Sequence, residues 1–267
     1  MSGTEAPVAV PAPRFLPFGD AAVIVEFGAR KDRALSAAVL ALDAAVGAAV
    51  AAGAGAPEGP FAGLRETAPS FRSLLVQFDP IVTDAARIEA GIRALLPDLA
   101  AGGERGEARL WRLPACYEGD YAPDLAAVAA AAGLSAGAVV EMHASITHHV
   151  YMIGFLPGCP YMGDLPAAID LPRRADPRIA VPAGSVAIAV GLTVIYPFES
   201  PGGWHLIGRT PAALFDPAAE AKAAAPVLLS PGDAVVFEPV GGADYARIAR
   251  AAAAGDWAPD SSPRPAA

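Results

Sequence analysis

HVYMIGFLPGCPYMGDLP (His149–Pro166), PRRADPRIAVPAGSVAIAV (Pro172–Val190) and IYPFESPGGWHLIGRTP (Ile195–Pro211) set short β-branched or aromatic runs between closely spaced glycines and prolines. Sixteen of the 55 residues from Gly154 to Gly208 are Gly or Pro, a density of turns that a plain core does not need. From Thr147 onward these runs, parted by Pro-Gly, Gly-Gly and Pro-Ala-Gly turns, predict a closed or nearly closed antiparallel β-barrel. Val227–Val240 (VLLSPGDAVVFEPV) reads as a hairpin about Pro231-Gly232-Asp233, Asp244–Ala254 as a last helix, and residues 258–267 as a loose tail.

The first part of the chain has another rhythm. Ala21–Phe27 reads as a strand, and Ala34–Ala52 as a helix whose Leu35, Val39, Leu42, Val46 and Val50 form one stripe. That segment approaches a membrane span in length, but Asp43 at its middle would cost about 2.5–3.5 kcal/mol in lipid. One apolar stripe predicts a helix packed on a sheet. Leu74–Phe78 is a strand candidate, a second helix is capped by Thr83 and stopped by Pro97, and Glu107–Leu113 returns as a strand. The order strand, helix, strand, strand, helix, strand predicts a ferredoxin-like split βαβ unit. The fold class is α+β: a disordered Pro-rich leader (1–13), an N-terminal α/β domain (14–120), and a helical connector plus barrel (121–257). The connector holds two short helices split at Gly133.

A formal charge of −9 argues against a general nucleic-acid binder. No Lys or Arg occurs between Arg112 and Arg173, so Leu125–Ser145, which superficially reads as a helix-turn-helix, lacks a basic recognition surface. Cys116 and Cys159 have no zinc-type spacing, and the N-terminus has no secretion-signal pattern. A reduced, cytoplasmic protein is the simpler expectation. No GxxxxGK[ST] loop, GxGxxG after a strand, HExxH or Met-Lys-Met biotin-attachment stretch is present, and Ser185 has no GxSxG elbow around it. No metal site is expected.

Candidate chemistry gathers in the turn-rich run. His148 and His149 must point to opposite faces of a strand, with His149 beside Tyr151 and Ile153. Val181-Pro-Ala-Gly184-Ser185 and Ser200-Pro-Gly202-Gly203-Trp204 let backbone N–H groups converge on an anion. By strict alternation His205 and Arg209 share a face, which pairs an acid/base candidate with a fixed positive fork. Arg173, Arg174 and Arg178 form an anion clamp or a salt-bridged loop, and Cys159 is a minor nucleophile candidate.

The motifs IGFLPGCPYMG, PRRxxPR, VPAGSVAI, IYP, SPGGWHLIGRTP and PGDxVxFxP, in this order, resemble the B-subunit family of prokaryotic 5-oxoprolinase. That family is also called allophanate hydrolase subunit 1 or KipI-like (carboxyltransferase domain, subdomains C and D), and is similar to part of urea carboxylase. The resemblance implies an N-terminal α/β domain and a C-terminal cyclophilin-like antiparallel barrel. It also implies a component of an enzyme that hydrolyses 5-oxoproline to glutamate with ATP, and Mg accompanying the ATP. The implied partners are the A subunit (LamB/YcsF-like) and the C subunit (a second cyclophilin-like chain) of 5-oxoprolinase. On that reading His149, His205 and Arg209 are catalytic, while Gly184, Ser185, Thr193, Tyr196, Ser200, Gly202, Gly203, Arg173 and Arg178 bind substrate or anion. The family's alternatives are inhibition of a sensor histidine kinase and carboxyl transfer with a biotinylated partner. Where the common family pattern reads GQTGIYP, this chain has Gly191-Leu192-Thr193-Val194-Ile195-Tyr196-Pro197, and Cys159 stands where Phe is usual.

Overall fold

The computed structural model describes residues 11–100, 108–219 and 225–264. The chain divides into two compact units, up to Glu107 and from Ala108. Most of the expected leader lies outside the described residues.

The first unit holds β1 (Arg14–Pro17), β2 (Ala22–Glu26), α1 (Arg33–Ala49), β3 (Leu64–Pro69), β4 (Ser73–Phe78) and α2 (Ala85–Ala100). Its sheet runs β1-β2-β4-β3, every neighbour antiparallel. The Asp32 side chain caps α1 by accepting from the Ala34 and Leu35 amides at 2.7 and 3.3 Å. With its last turn, α1 is long and apolar enough to cross a membrane by composition. Its stripe of Leu35, Val39, Leu42 and Val46 is nonetheless buried within this unit, with Val23, Val25, Leu74, Val76 and Ile88. Two local expectations change. Asp84, whose carboxylate accepts from the Arg87 amide at 2.9 Å, caps α2, while the Thr83 hydroxyl is buried without a partner. Pro97 lies inside α2 rather than ending it.

The ferredoxin-like expectation fails at its last strand. Arg109–Cys116 (β5) belongs to the second unit, and β1 takes the free edge beside β2 instead. The physical reason is burial: Leu113 and Ala115 complete the core of the barrel.

After β5 the second unit continues with α3 (Leu125–Ala132), α4 (Ala136–Ala144), β6 (His148–Ile153), β7 (Pro160–Gly163), β8 (Arg178–Val181) and β9 (Ser185–Ala189). It is completed by β10 (Leu192–Ile195), β11 (Ser200–Gly202), β12 (His205–Arg209), β13 (Ala234–Val240), α5 (Gly242–Ala254) and β14 (Asp260–Pro263). β12-β9-β10-β7-β6-β13-β5 closes on itself through a β12–β5 pairing. Seven strands cannot alternate direction all the way round, so a closed ring of seven requires a parallel pair. β13 and β5 supply it over seven residue pairs, which corrects the wholly antiparallel expectation. β8 and β11 form a separate two-stranded ribbon.

Val227 bridges Phe215, and β13 pairs with β5 and β6, so the expected hairpin is not formed. Its Pro-Gly-Asp turn is real and serves another end. The Asp233 carboxylate accepts from the Arg109 amide (2.8 Å), Trp111 Nε1 (2.9 Å) and the Ser230 amide (2.9 Å), which fixes β5 against the start of β13. Nor are the residues after Pro259 wholly loose: β14 pairs antiparallel with the first half of β5. The two connector helices form as expected, parted by Gly133 at φ 67°, and Ser135 caps α4 by accepting from the Ala138 amide.

Candidate functional site

An acid missed in the sequence organises the site. Asp124, 5% exposed at the start of α3, accepts Arg178 Nη2 and Nη1 at 2.7 and 2.9 Å and Arg174 Nη1 at 3.2 Å. It also accepts the Leu206 amide at 2.7 Å, and its own amide donates to Leu206 O at 3.0 Å. Burial pushes this carboxyl up, but the Arg178 hydrogen bonds, the Leu206 amide and the charges of Arg178 and Arg174 outweigh it and hold it below the usual carboxylate range. One carboxylate thereby ties the loop Arg173–Arg178 to β12. The clue in the sequence was two arginines in PRRADPR that need a counterion, with Asp124 an acid beside an otherwise apolar stretch.

This tie shapes a cleft of about 380 Å³. Tyr161, Val194, Tyr196 and Trp204 wall it, the Arg173–Pro177 loop and Pro201-Gly202-Gly203 cover it, and Phe155 stands at its edge. Phe155 is 67% exposed and held at φ 68°, a conformation that costs a bulky residue energy. Gly203 O accepts the Arg174 amide at 2.8 Å, which joins loop to turn. Gly202 approaches Tyr196 so closely that a Cβ would overlap the phenol. The Tyr161 and Trp204 rings meet edge to face at 5.9 Å, and Arg173 Cζ lies 5.6 Å from the Trp204 ring. Arg174 and Arg178 share the single carboxylate of Asp124, whereas Arg173 has no carboxylate partner among the described residues. Arg173 is therefore the unpaired charge at this cleft. Burial pushes Cys159 up to about 12, so the thiol stays protonated and is a poor nucleophile. Tyr196 is likewise pushed up to about 12, by burial and then by Cys159 and Tyr161.

Of the residues singled out in the sequence, the cleft gathers Cys159, Arg173, Arg174, Tyr196, Gly202 and Gly203. His205 stands just outside its lining, where Nε2 and Pro172 O are 2.9 Å apart, and so props the Arg173 loop. A bulge at Ile207 breaks the alternation of β12: His205 lies opposite Ile188 but Arg209 opposite Ser185, and the two do not share a face. His149 also lies off the cleft, with Nδ1 2.9 Å from Arg264 Nη1 and its ring against Tyr151. Arg178 is a structural ion pair rather than a clamp. Gly184, at φ 75°, donates its amide to Tyr196 O at 2.7 Å, and Ser185 and Ser200 are buried with unpartnered hydroxyls.

Thr193 points the other way, into the barrel. Its hydroxyl is 3.2 Å from His143 Nε2, His143 Nδ1 is 2.9 Å from the Tyr117 hydroxyl, and His148 Nε2 is 3.1 Å from His143 O. Burial, then the neighbouring His148, lowers His143 well below the ordinary histidine value, and burial lowers His148 to about 4. Both rings are neutral structural members of the core.

This barrel with its two-stranded ribbon and small cleft is a carboxyltransferase-type domain. The family described as carboxyltransferase domain, subdomain C and D, matches residues 13–225, and the chain belongs to it. Its membership narrows to the 5-oxoprolinase B-subunit branch through two relatives. The chain is 35% identical to the 5-oxoprolinase B subunit of Bacillus subtilis (strain 168), over 85% of this chain and 92% of that one. It is 51% identical to the 5-oxoprolinase B subunit of Escherichia coli O157:H7 over 50% of this chain, a match that spans 59% of that relative's length. Among solved structures, K. lactis urea amidolyase superposes with a TM-score of 0.73 at 20% identity, covering 96% of this chain and 16% of that one; this likeness concerns the fold alone.

Proposed function

We propose that this chain is the B subunit of an ATP-dependent 5-oxoprolinase that works in the cytoplasm with the A and C subunits of that enzyme. The observation that carries the reading is Arg173, an arginine without a carboxylate partner among the described residues, set over Trp204 at a small cleft. A cleft of about 380 Å³ lies at the small end of ligand sites, which run from about 300 to 1,000 Å³. 5-Oxoproline is a small ring bearing one carboxylate. Arg173 would take the carboxylate, while Tyr161, Tyr196 and Trp204 enclose the ring.

A lactam resists hydrolysis because amide resonance makes its carbonyl carbon a poor electrophile. Transfer of the ATP γ-phosphoryl group to the lactam oxygen removes that resonance and releases ADP. Water then adds to the activated carbon and the ring C–N bond breaks as the nitrogen takes up a proton, which leaves the side-chain carboxyl as an acyl phosphate. A second water adds to that carbonyl and expels phosphate to give glutamate. This chain's contribution is to hold and orient the substrate. His205 acts as a positioning residue through Pro172. Among the described residues no group of three His, Cys, Asp or Glu side chains could hold a metal, so Mg would arrive with the ATP phosphates.

The reading is tested in the reconstituted three-subunit complex by comparing 5-oxoproline with 2-pyrrolidone, the same ring without the carboxylate. The complex should bind 5-oxoproline at least about tenfold more tightly, as one charge-assisted pair allows. Arg173→Gln should erase the difference. Equal binding of both lactams, or an unchanged preference in Arg173→Gln, would contradict the assignment of the cleft.

A further inference from the structure

β5, β12 and β9 lie side by side, and their register sets Cys116 on one flank of Arg209 and Ser185 on the other. Residues directly opposite in antiparallel pairs point to the same face, with Cβ atoms about 4.5–5.5 Å apart. That face is not the core face. The alternating neighbours Ala115 and Val186 take the core, and Cys116, Arg209 and Ser185 face outward. Two tyrosines flank the row. Tyr121, from the turn after β5, and Tyr245, from α5, meet with ring centres 4.3 Å apart and planes tilted by 44°, and Arg209 Cζ sits 5.5 Å from the Tyr121 ring.

Two polar groups of this row, on Arg209 and Ser185, are unsatisfied. A guanidinium carries five N–H donors. Arg209 pairs with no carboxylate among the described residues, and its Nε–H is buried without a partner. The Ser185 hydroxyl beside it, on a residue 1% exposed, has none either. The nearby acid Glu118 accepts the Gly242 amide at 3.0 Å, and Asp244 pairs with Arg247. Burial raises the Tyr245 phenol despite the opposing charge of Arg209, so it remains a protonated donor. Donors from β9, β12, the turn after β5 and α5 thus gather here, and the buried Arg209 Nε–H and Ser185 hydroxyl are costly to leave unpaired.

We infer that Arg209, with Ser185 and the phenols of Tyr121 and Tyr245, forms a second oxyanion site, for a carboxylate or phosphate group, separate from the cleft that holds Arg173. The oxyanion accepts from Arg209 Nε–H and the Ser185 hydroxyl, and the tyrosines close its sides. None of the four residues lines the cleft, so the site stands whether or not the cleft takes a lactam.

The full chain with 15N-labelled arginine, titrated at constant ionic strength with inorganic phosphate, with acetate and with chloride, tests this. The Arg209 Nε–H resonance, assigned by its loss in Arg209→Lys, should shift saturably with phosphate or acetate and not with chloride. Whichever of the two saturates at lower concentration identifies the source. Ser185→Ala, which removes one donor and little volume, should weaken that binding at least about fivefold while the melting temperature stays close to the parent's. A response no larger than chloride's would mean that water alone satisfies the guanidinium and would overturn the site. Unchanged affinity in Ser185→Ala would overturn the part assigned to its hydroxyl.

Discussion

Asp124→Ala removes a single carboxylate and with it three kinds of contact: the two-point pair with Arg178, the bond from Arg174 and the bond from the Leu206 amide. Breaking a fully buried pair from one side costs about 3–5 kcal/mol. The Arg178 and Arg174 side chains keep 25% and 32% of their exposure, so water recovers part of that cost. About 3 kcal/mol remains, and Asp124→Asn, which keeps an oxygen for the Leu206 amide, should cost about half as much. In a unit of this size each kcal/mol lowers Tm by about 2–4 °C, so Asp124→Ala should melt about 6–12 °C below the parent. Trp111, Trp204 and Trp257, the only tryptophans, all lie in the second unit, and their fluorescence therefore reports its melting. The Asp124 carboxyl is held below its ordinary value, so its contribution is complete above about pH 4 and is lost as pH falls through the folded-state value. The gap between parent and Asp124→Asn should close in the same direction. A Tm for Asp124→Ala within about 2 °C of the parent at pH 7 would refute the role assigned to this residue.

Other perturbations test separate parts of the structure. Gly184→Ala places a Cβ on Thr210 O in a backbone at φ 75°, and should cost about 2–4 kcal/mol, read as a drop in the tryptophan-monitored Tm. Gly202→Ala overlaps the Tyr196 phenol instead, and should raise the KM for 5-oxoproline about tenfold with a smaller change in kcat in the reconstituted enzyme. His148, at about 4 in the fold against an ordinary 6.5, binds its proton more readily in the unfolded chain. Stability should therefore fall as pH drops from 6.5 towards 4, by roughly 3 kcal/mol from this residue alone, and His148→Gln should flatten urea unfolding midpoints measured across that range.

What could be read in the sequence was local. The turn-dense run between His149 and Pro211 announced a barrel, and the stripe of Leu35, Val39, Leu42 and Val46 announced a helix on a sheet, because periodicity and turn chemistry act over a few residues. Leu113 and Ala115 fit either sheet equally well, and only closure of a seven-membered ring beside β13 decides where they go. Gly202, Gly203, Tyr196 and Arg173 were visible as a Gly-Gly turn, an aromatic and a charge close in sequence to the cleft they form. Arg178 was not separable from Arg173, because its partner Asp124 lies 54 residues away. His205 and Arg209 were set on one face by an alternation that the bulge at Ile207 breaks. His143, on the second connector helix, carries no local signal in the sequence, yet it is fully buried in the core, bonded to Thr193 and Tyr117.

The most direct test of the proposed function is 5-oxoproline-dependent release of ADP and glutamate by this chain co-expressed with the A and C subunits, each chain omitted in turn. Turnover that needs all three chains and falls sharply with Arg173→Gln is the expected result. A well-formed complex that releases ADP and glutamate equally well without this chain, or that shows no response to 5-oxoproline, would contradict it.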